Sequence, residues 1–430
     1  MTEEAVAPRE MAHWDRLGLQ RSRGVPVELD AHLGLHGRVS ADFDRKAFVR
    51  LVAESGLTGR GGAGFPMHRK LSSVSAAKGR PIVVANAAEG EPASTKDRAL
   101  IALVPHLVLD GVQIAARTVG ANEAIVYVGS KALADQTRRR VAQRAAARLD
   151  RVPVQVMEAA RWFVAGQETA VVSALNGEPA LPRSTPPPVY ISGVDRRPTL
   201  VQNVETLAQL ALVARYGSAW FRGLGTAAEP GTMLFTVSGD VGAPGVVEAP
   251  IGTQISRLLD LAGGVTEPLQ ALLIGGYHGS WLPMPVALDA PVSRAGLAPF
   301  GGSPGAGVVM ALPRSACGLV EAARVTRYLA DQSARQCGPC LNGLPALAAV
   351  LADLAAGRVH NGQLERAEQL NRLLEGRGAC HHPDGSVRFV RSSLSVFADE
   401  VRLHLSNRCS AVPRRAPVLP TSELAREGGR

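Results

Sequence analysis

The chain's chemistry is concentrated in a few short segments. The first is Gly59-Arg60-Gly61-Gly62-Ala63-Gly64-Phe65-Pro66, with Lys70 shortly after. It satisfies the G-x-G-x-x-G spacing of a dinucleotide turn. However, the residues before it have helical periodicity, whereas a Rossmann turn follows a strand. Glycine lacks Cβ, so backbone N–H groups there can approach a phosphate or the face of an aromatic ring. We read the segment as a phosphate or flavin cradle. The function-neutral reading is a tight turn, and with 45 glycines in 430 residues chance matches to the spacing are common.

The second segment is Asn86-Ala87-Ala88-Glu89-Gly90-Glu91-Pro92, followed by Lys96-Asp97-Arg98. It lies just past an expected strand, where open α/β sheets place their ligands. Its two carboxylates could bind ribose hydroxyls or a nicotinamide amide, or could stabilise the N-terminus of a helix. Two further polar clusters, Gly166-Gln167-Glu168-Thr169 and Gln202-Asn203-Val204-Glu205-Thr206, each begin an expected helix and could be caps. The last segment is Cys337-Gly338-Pro339-Cys340, with Cys380 in Gly378-Ala379-Cys380-His381-His382. A lone C-x-x-C suits zinc, a redox disulfide or an iron–sulfur ligand pair. Thioredoxin-like chemistry would want a βαβ setting, which is absent here. Zinc would accept Cys337, Cys340, Cys380 and one of His381 or His382. Cys317, in an apolar setting, reads as an inert core thiol, and Cys409 is assigned no role.

The elements that must position these residues follow from periodicity. Residues 1–40 are polar and irregular and are expected to form an N-terminal arm. Phe43, Ala47, Phe48, Leu51 and Val52 mark a helix ending at Ser55-Gly56. Strands are expected at 81–86, 124–128 and 154–157, with helices between them, which argues for a parallel sheet in an α/β region over 41–228. Pro179–Pro188 reads as a stiff extended loop. Over 229–302 the order β-β-α-β suggests a small β-grasp domain, with Gly301–Gly307 leading out of it. From 303 to 410 four amphipathic helices suggest a bundle, and 411–430, rich in proline, reads as a disordered tail.

Composition narrows the class. The net charge is +9, 46% of residues are hydrophobic and only 4% are aromatic. This excludes a disordered chain, a collagen-like repeat and a disulfide-stapled miniprotein. Five cysteines, three of them in one segment, suit metal or redox chemistry in a reducing compartment. The arginine-rich stretch from Arg138 to Arg151 has no interleaved aromatics, so it reads as the solvated face of a helix and not as a nucleic-acid site. Met1–Gln20 lacks the apolar core of a signal peptide, and no apolar stretch is long enough to span a membrane. The expected location is cytoplasmic, with any membrane link made through a partner.

Taken in order, GRGGAGFP, NAAEGEP with STKDR, AGQETA, PTLVQNVETL and CGPC with a later Cys resemble the NADH-binding flavoprotein subunits of respiratory complex I. The same module occurs in diaphorase subunits of NAD-reducing hydrogenases and formate dehydrogenases. The resemblance covers about residues 45–405. It implies an α/β fold made of an FMN-binding parallel-sheet domain, a small β-grasp domain of the soluble-ligand-binding (SLBB) type, and a helical iron–sulfur bundle. It also implies that NADH gives a hydride to FMN, which passes single electrons to a [4Fe–4S] cluster and on to a [2Fe–2S] or ferredoxin-like partner. Carried over by motif, Gly59, Arg60, Gly61, Gly62, Gly64, Lys70, Asn86, Glu89, Glu91, Glu168, Asn203 and Thr206 would line the flavin and nucleotide site. Phe65 would stack on the adenine of NADH, Glu91 would be the catalytic carboxylate, and Cys337, Cys340 and Cys380 would hold the cluster.

The chain departs from that pattern at several positions. Ala88 stands where the family has Asp, Phe163 for Tyr, Gln167 for Glu and Gln202 for Asn, while Thr185 and Pro188 replace a Lys and an aromatic residue. Several of these lie where NADH would bind. A lost hydrogen bond costs ~0.5–1.5 kcal/mol, so four or five unreplaced losses would weaken NADH severely. Ala334 replaces the first cluster cysteine. Cys317 lies 17 residues away, about 25 Å along a helix, leaving His381, His382 or Cys409 as the fourth ligand. Otherwise the site would be an open-cornered or three-iron cluster, a zinc site, or no metal site. Two further readings stay open: a flavin and iron–sulfur subunit using ferredoxin instead of NADH, and a non-catalytic scaffold.

Overall fold

The computed structural model describes residues 14–40, 44–184, 187–411 and 417–421. Thr185 and the greater part of the expected tail lie outside these.

The described arm is more ordered than its polar sequence suggests. Leu17 and Leu19 are buried, and helix α1 (Leu29–His36) buries His32, whose ring meets Asp110 at 2.7 Å. Helices α2 (Arg45–Ser55) and α3 (Met67–Ala76) flank the glycine loop. Asp44 caps α2 by accepting from the Lys46 N–H, and Gly56 ends it at φ +71°, a conformation that suits glycine.

The first sheet is wholly parallel. It consists of β1 (Ile82–Ala87), β2 (Ala124–Val128), β3 (Val154–Glu158) and β4 (Thr199–Asn203), in the order β3-β2-β1-β4. Its central strands are apolar on both faces because helices cover both. On one face, Val83, Ala85, Val126 and Leu200 join the core formed with α5 (Pro105–Val119) and α8 (Val204–Arg222). On the other, Ile82, Val84, Ile125 and Val201 meet Val171 and Val172 of α7 (Glu168–Leu175). Helices α4 (Lys96–Leu103) and α6 (Lys131–Ala146) complete the layer. Gly111 of α5 lies so close to Leu207 of α8 that a Cβ would come within 2.0 Å of the Leu207 carbonyl oxygen.

The second sheet is mixed, in the order β6-β5-β9-β7-β8. It contains β5 (Thr232–Gly239), β6 (Gly245–Pro250), β7 (Leu269–Ile274), β8 (Ser280–Pro283) and β9 (Val308–Pro313), with α9 (Ile255–Leu261) packed on it. Strand β9 corrects the expected boundary at 302. It runs parallel to β5 and antiparallel to β7, in the middle of the sheet. Gly301–Gly307 is therefore a connection within the sheet and not an exit from it.

The C-terminal region contains five helices, where four were expected: α10 (Gly318–Asp331), α11 (Leu344–Ala355), α12 (Gln363–Leu374), α13 (His382–Val396) and α14 (Ala398–Leu405). The expected fourth helix divides at Phe397. The described part of the tail is also ordered. Leu419 is buried, Glu321 accepts the N–H groups of Val418 and Leu419, and the Tyr277 hydroxyl donates to the Pro420 carbonyl at 2.6 Å. Among the described residues no single helix is long and apolar enough to cross a membrane.

Candidate flavin and iron–sulfur sites

Asn86 and Asn203 are paired neighbours on β1 and β4, so both reach the carboxyl edge of the parallel sheet together. The glycine loop is held against that edge from three sides. Gly59 N–H donates to the Phe65 carbonyl across the loop, and Arg60 N–H donates to the Thr206 hydroxyl at 2.8 Å. A Cβ on Gly61 would meet Asn203 Cβ at 3.2 Å. Gly62 sits at φ +114° against Gly305 and Ala306, so the second sheet's connection backs the loop. Among the described residues, the N–H groups of Gly61, Gly62, Ala63 and Gly64 have no protein acceptor. Four consecutive free donors on glycine-rich backbone suit a phosphate or an electron-rich ring edge.

The expected ligand residues divide into those left for a ligand and those committed elsewhere. The Arg60 guanidinium is buried, which lowers its pKa, and it donates to Thr58, Thr232 and Pro230. It fastens the loop to β5 and does not line the site, a correction to the expectation. Thr206 is likewise an anchor. Glu89 accepts from Ser94, Asp97 N–H and Arg98 N–H at the start of α4, so for this carboxylate the capping reading holds. Gln167 caps α7 through Thr169 and Ala170.

Lys70 Nζ, by contrast, reaches Glu168 at 2.7 Å and the Val201 carbonyl at 3.1 Å, and both side chains stay partly exposed. Asn86 donates to the Gly166 carbonyl and Phe65 is 46% exposed. Glu91 spans the seam between the sheets, accepting Tyr277 N–H at 2.6 Å and Ala93 N–H at 3.1 Å. Burial pushes its pKa up to about 7 against the pull of those two bonds.

Sequence reasoning missed two features of this site. Arg294, on the second sheet's connection, lies across the glycine loop 3.4 Å from the Gly62 carbonyl and fills the space a Gly64 Cβ would need. Beneath Asn203, Lys96 is buried between Asp97 and Glu205, at 2.8 Å from each. Asp97 accepts from Asn203, and Glu205 accepts Leu234 N–H of β5. Burial opposes the Lys96 charge, but the two carboxylates raise its pKa overall. The sequence singles out Lys96-Asp97 and the cluster containing Glu205, but gives no signal that they meet across 109 residues.

The second group lies at the head of α11. Cys340 opens from a π-turn over Pro339–Gly343 and is buried. Burial pushes its thiol up to about 12, with Cys337 and Cys380 adding to the shift as neighbours. The three cysteines are thus neighbours, and an iron–sulfur centre would take them as thiolates.

Two of the three candidate fourth ligands are otherwise engaged. His382 donates Nε2–H to the Leu329 carbonyl at 2.8 Å, so its Nδ1 accepts from His278 Nε2 at 3.1 Å. His381 is fully exposed beside Asp384. Cys409 belongs to another cluster with Cys317, Glu400 and His404, so Cys317 is not the isolated apolar thiol the sequence suggested. Ala334 lines an open cleft of about 1330 Å³ with Trp162, Arg327 and Arg335. Phe163 packs edge-on against His278 at 4.7 Å, between the two sites.

Residues 52–212 match the family description Nuo51 FMN-binding domain, 234–276 the SLBB domain, and 320–404 the NADH-ubiquinone oxidoreductase-F iron-sulfur binding region. An F subunit (F 2) of the NADH-quinone oxidoreductase of Rhizobium meliloti is 33% identical, over 84% of this chain and 89% of its own length. The NADH-quinone oxidoreductase F subunit of Streptomyces coelicolor is 31% identical, over 94% and 93%. The crystal structure of an NAD+-reducing [NiFe]-hydrogenase in the air-oxidized state superposes with a TM-score of 0.80 at 31% identity over 90% of this chain. This chain spans 66% of that hydrogenase chain. The chain belongs to the family of NADH-quinone oxidoreductase F subunits.

Proposed function

We infer that this chain is the electron-input subunit of a larger redox assembly, taking reducing equivalents from NADH and delivering them singly to a partner protein. FMN, when bound, supplies the conversion of a two-electron hydride into one-electron steps. The observation that carries this reading is the row of four unpartnered N–H groups at 61–64, set beside Asn203 at the carboxyl edge of a parallel sheet. Gly61, Gly62 and Gly64 would hold the cofactor, with Lys70 and Asn86 at its margin. Phe65 offers an exposed ring for a nucleotide base. Glu91 can hold a proton at neutral pH where the two sheets meet. Cys337, Cys340 and Cys380 would hold an iron–sulfur cluster with one corner not supplied by cysteine. The partner would be a [2Fe–2S] or ferredoxin-like protein, with the chain placed peripherally on the cytoplasmic side of any membrane complex.

One observation favours a different electron donor. Gln167 is spent on capping and Phe163 is packed into an aromatic cluster, so neither offers the group the family uses around the nucleotide. Ferredoxin would then replace NADH. Anaerobic titration of FMN-loaded protein separates the readings: bleaching of the flavin absorbance by NADH supports the first. A flavin that only reduced ferredoxin bleaches supports the second, and a chain that takes up no FMN contradicts both.

A further inference from the structure

Cys317, Glu400, His404 and Cys409 each present one ligating atom, and these four atoms all lie within 4.8 Å of one another. Three parts of the helical region bring them together. Cys317 is the N-cap of α10. Glu400 and His404 are four residues apart on α14 and so share one face. Cys409 follows in the loop after that helix. The cluster is independent of Cys337, Cys340 and Cys380, and the proposed electron path makes no use of it.

We propose that Cys317, Glu400, His404 and Cys409 form a structural zinc site that ties the chain after α14 to the start of α10.

The donor set is what zinc takes: two thiolates, one imidazole nitrogen and one carboxylate oxygen. The spacing fits as well. Zinc bonds of about 2.3 Å to sulfur and about 2.0–2.1 Å to nitrogen and oxygen place tetrahedral ligand atoms about 3.3–3.8 Å apart. Cys317 Sγ lies 3.4 Å from His404 Nε2 and 3.7 Å from Glu400 Oε1, and that oxygen lies 3.1 Å from His404 Nε2. Supporting groups orient the ligands. Ser410 donates to Glu400 through its N–H at 3.0 Å and also through its hydroxyl, and Val320 N–H points at Cys317 Sγ at 3.4 Å. Apolar walls from Leu319, Leu354 and Val401 close the inner side, while Cys409 is exposed and gives the ion a route in. Cys317, Glu400 and His404 are all buried. An ordinary surface cluster would not bury a thiol, a carboxylate and an imidazole against one another.

The test is metal analysis of the full-length protein, purified anaerobically and equilibrated with buffered zinc. Wild type is compared with Cys409→Ser and with Cys340→Ser. Cys409 is exposed, so its serine variant should fold, and circular dichroism checks that. Wild type should carry about one zinc more than Cys409→Ser, with iron content equal in the two. Cys340→Ser should keep that zinc. Cobalt added in place of zinc should give a sulfur-to-metal absorption band in wild type that weakens in Cys409→Ser. Equal zinc in wild type and Cys409→Ser, or loss of the difference in Cys340→Ser, would overturn the proposal.

Discussion

At the carboxyl edge of β1 and β4 the atoms offered to a ligand are mainly backbone N–H groups, whereas at the head of α11 they are three thiols. The first kind of site depends on a loop path, and many side chains can hold that path. Arg60, Thr206, Asn203 and the Gly305 connection do so here, through hydrogen bonds and close packing. On the family pattern that the resemblance implies, Ala88, Gln167 and Gln202 around this site are departures, while the N–H groups of Gly61, Gly62, Ala63 and Gly64 stay without a protein acceptor among the described residues. The second kind of site needs one atom type at every corner. If Ala334 stands at a cluster-cysteine position, as the resemblance implies, one corner lacks its thiol, while His382 is doubly hydrogen-bonded and His381 faces solvent beside Asp384. Backbone sites tolerate divergence that ligand-counting sites do not.

The largest effect is expected at the loop's foundation. Lys96→Met leaves Asp97 and Glu205 buried without their cation, and breaking such a pair costs about 3–5 kcal/mol. The denaturation midpoint should fall steeply and flavin retention with it. An unchanged midpoint would mean that the buried triad does not support the loop. Ala334→Cys sharpens the contrast from the other side. Restoring a fourth thiolate should raise iron and sulfide per chain, with wild type below it under identical reconstitution, and equal contents would show that the missing corner is supplied by another group. Gly62→Val places a β-branched residue at φ +114°, at a cost of order 1–3 kcal/mol. Flavin affinity should drop by about tenfold to a hundredfold, read by fluorescence titration.

Glu91→Gln is subtler. In the folded chain Glu91 holds its proton up to about pH 7, against an ordinary value of 4.5. Its extra proton affinity stabilises the fold at low pH, and that contribution is lost as pH rises from the lower value through the higher. The variant should lose this slope from its stability-versus-pH curve. It should also flatten the inflection near neutrality in the rate of NADH oxidation. A curve that superposes on wild type would remove Glu91 from the titration. The smallest effect is expected from Lys70→Ala. The Lys70–Glu168 pair is partly exposed, so its loss should change stability by at most about 1 kcal/mol while still weakening FMN binding.

Much of the architecture was legible because apolar runs and glycine signals act locally. Strands β1 to β3 and helix α2 follow from patterning alone. Strand β4 was missed because Thr199–Asn203 runs directly into α8, and Asn203 both ends the strand and caps the helix by accepting from Glu205 N–H. The polar cluster at 202–206 was visible, but its strand was not. Strand β9 was missed because it is a fully buried six-residue run beside helical sequence, and only its pairing with β5 and β7 reveals it. At the site, the glycine loop and the cysteine spacing stood out. The direction of Arg60, the capping role of Glu89 and the position of Arg294 did not. Each of these depends on partners that chain topology brings together, such as Thr232, 172 residues from Arg60. The meeting of Cys317 with His404 across 87 residues was illegible for the same reason.

Backbone hydrogen exchange over residues 57–66, with and without FMN, reads the proposed cradle directly. If the N–H groups of Gly61, Gly62, Ala63 and Gly64 cradle the cofactor, FMN should slow exchange in that stretch more than anywhere else in the parallel-sheet region. Tight FMN binding that leaves those amides exchanging at the ligand-free rate would contradict the account.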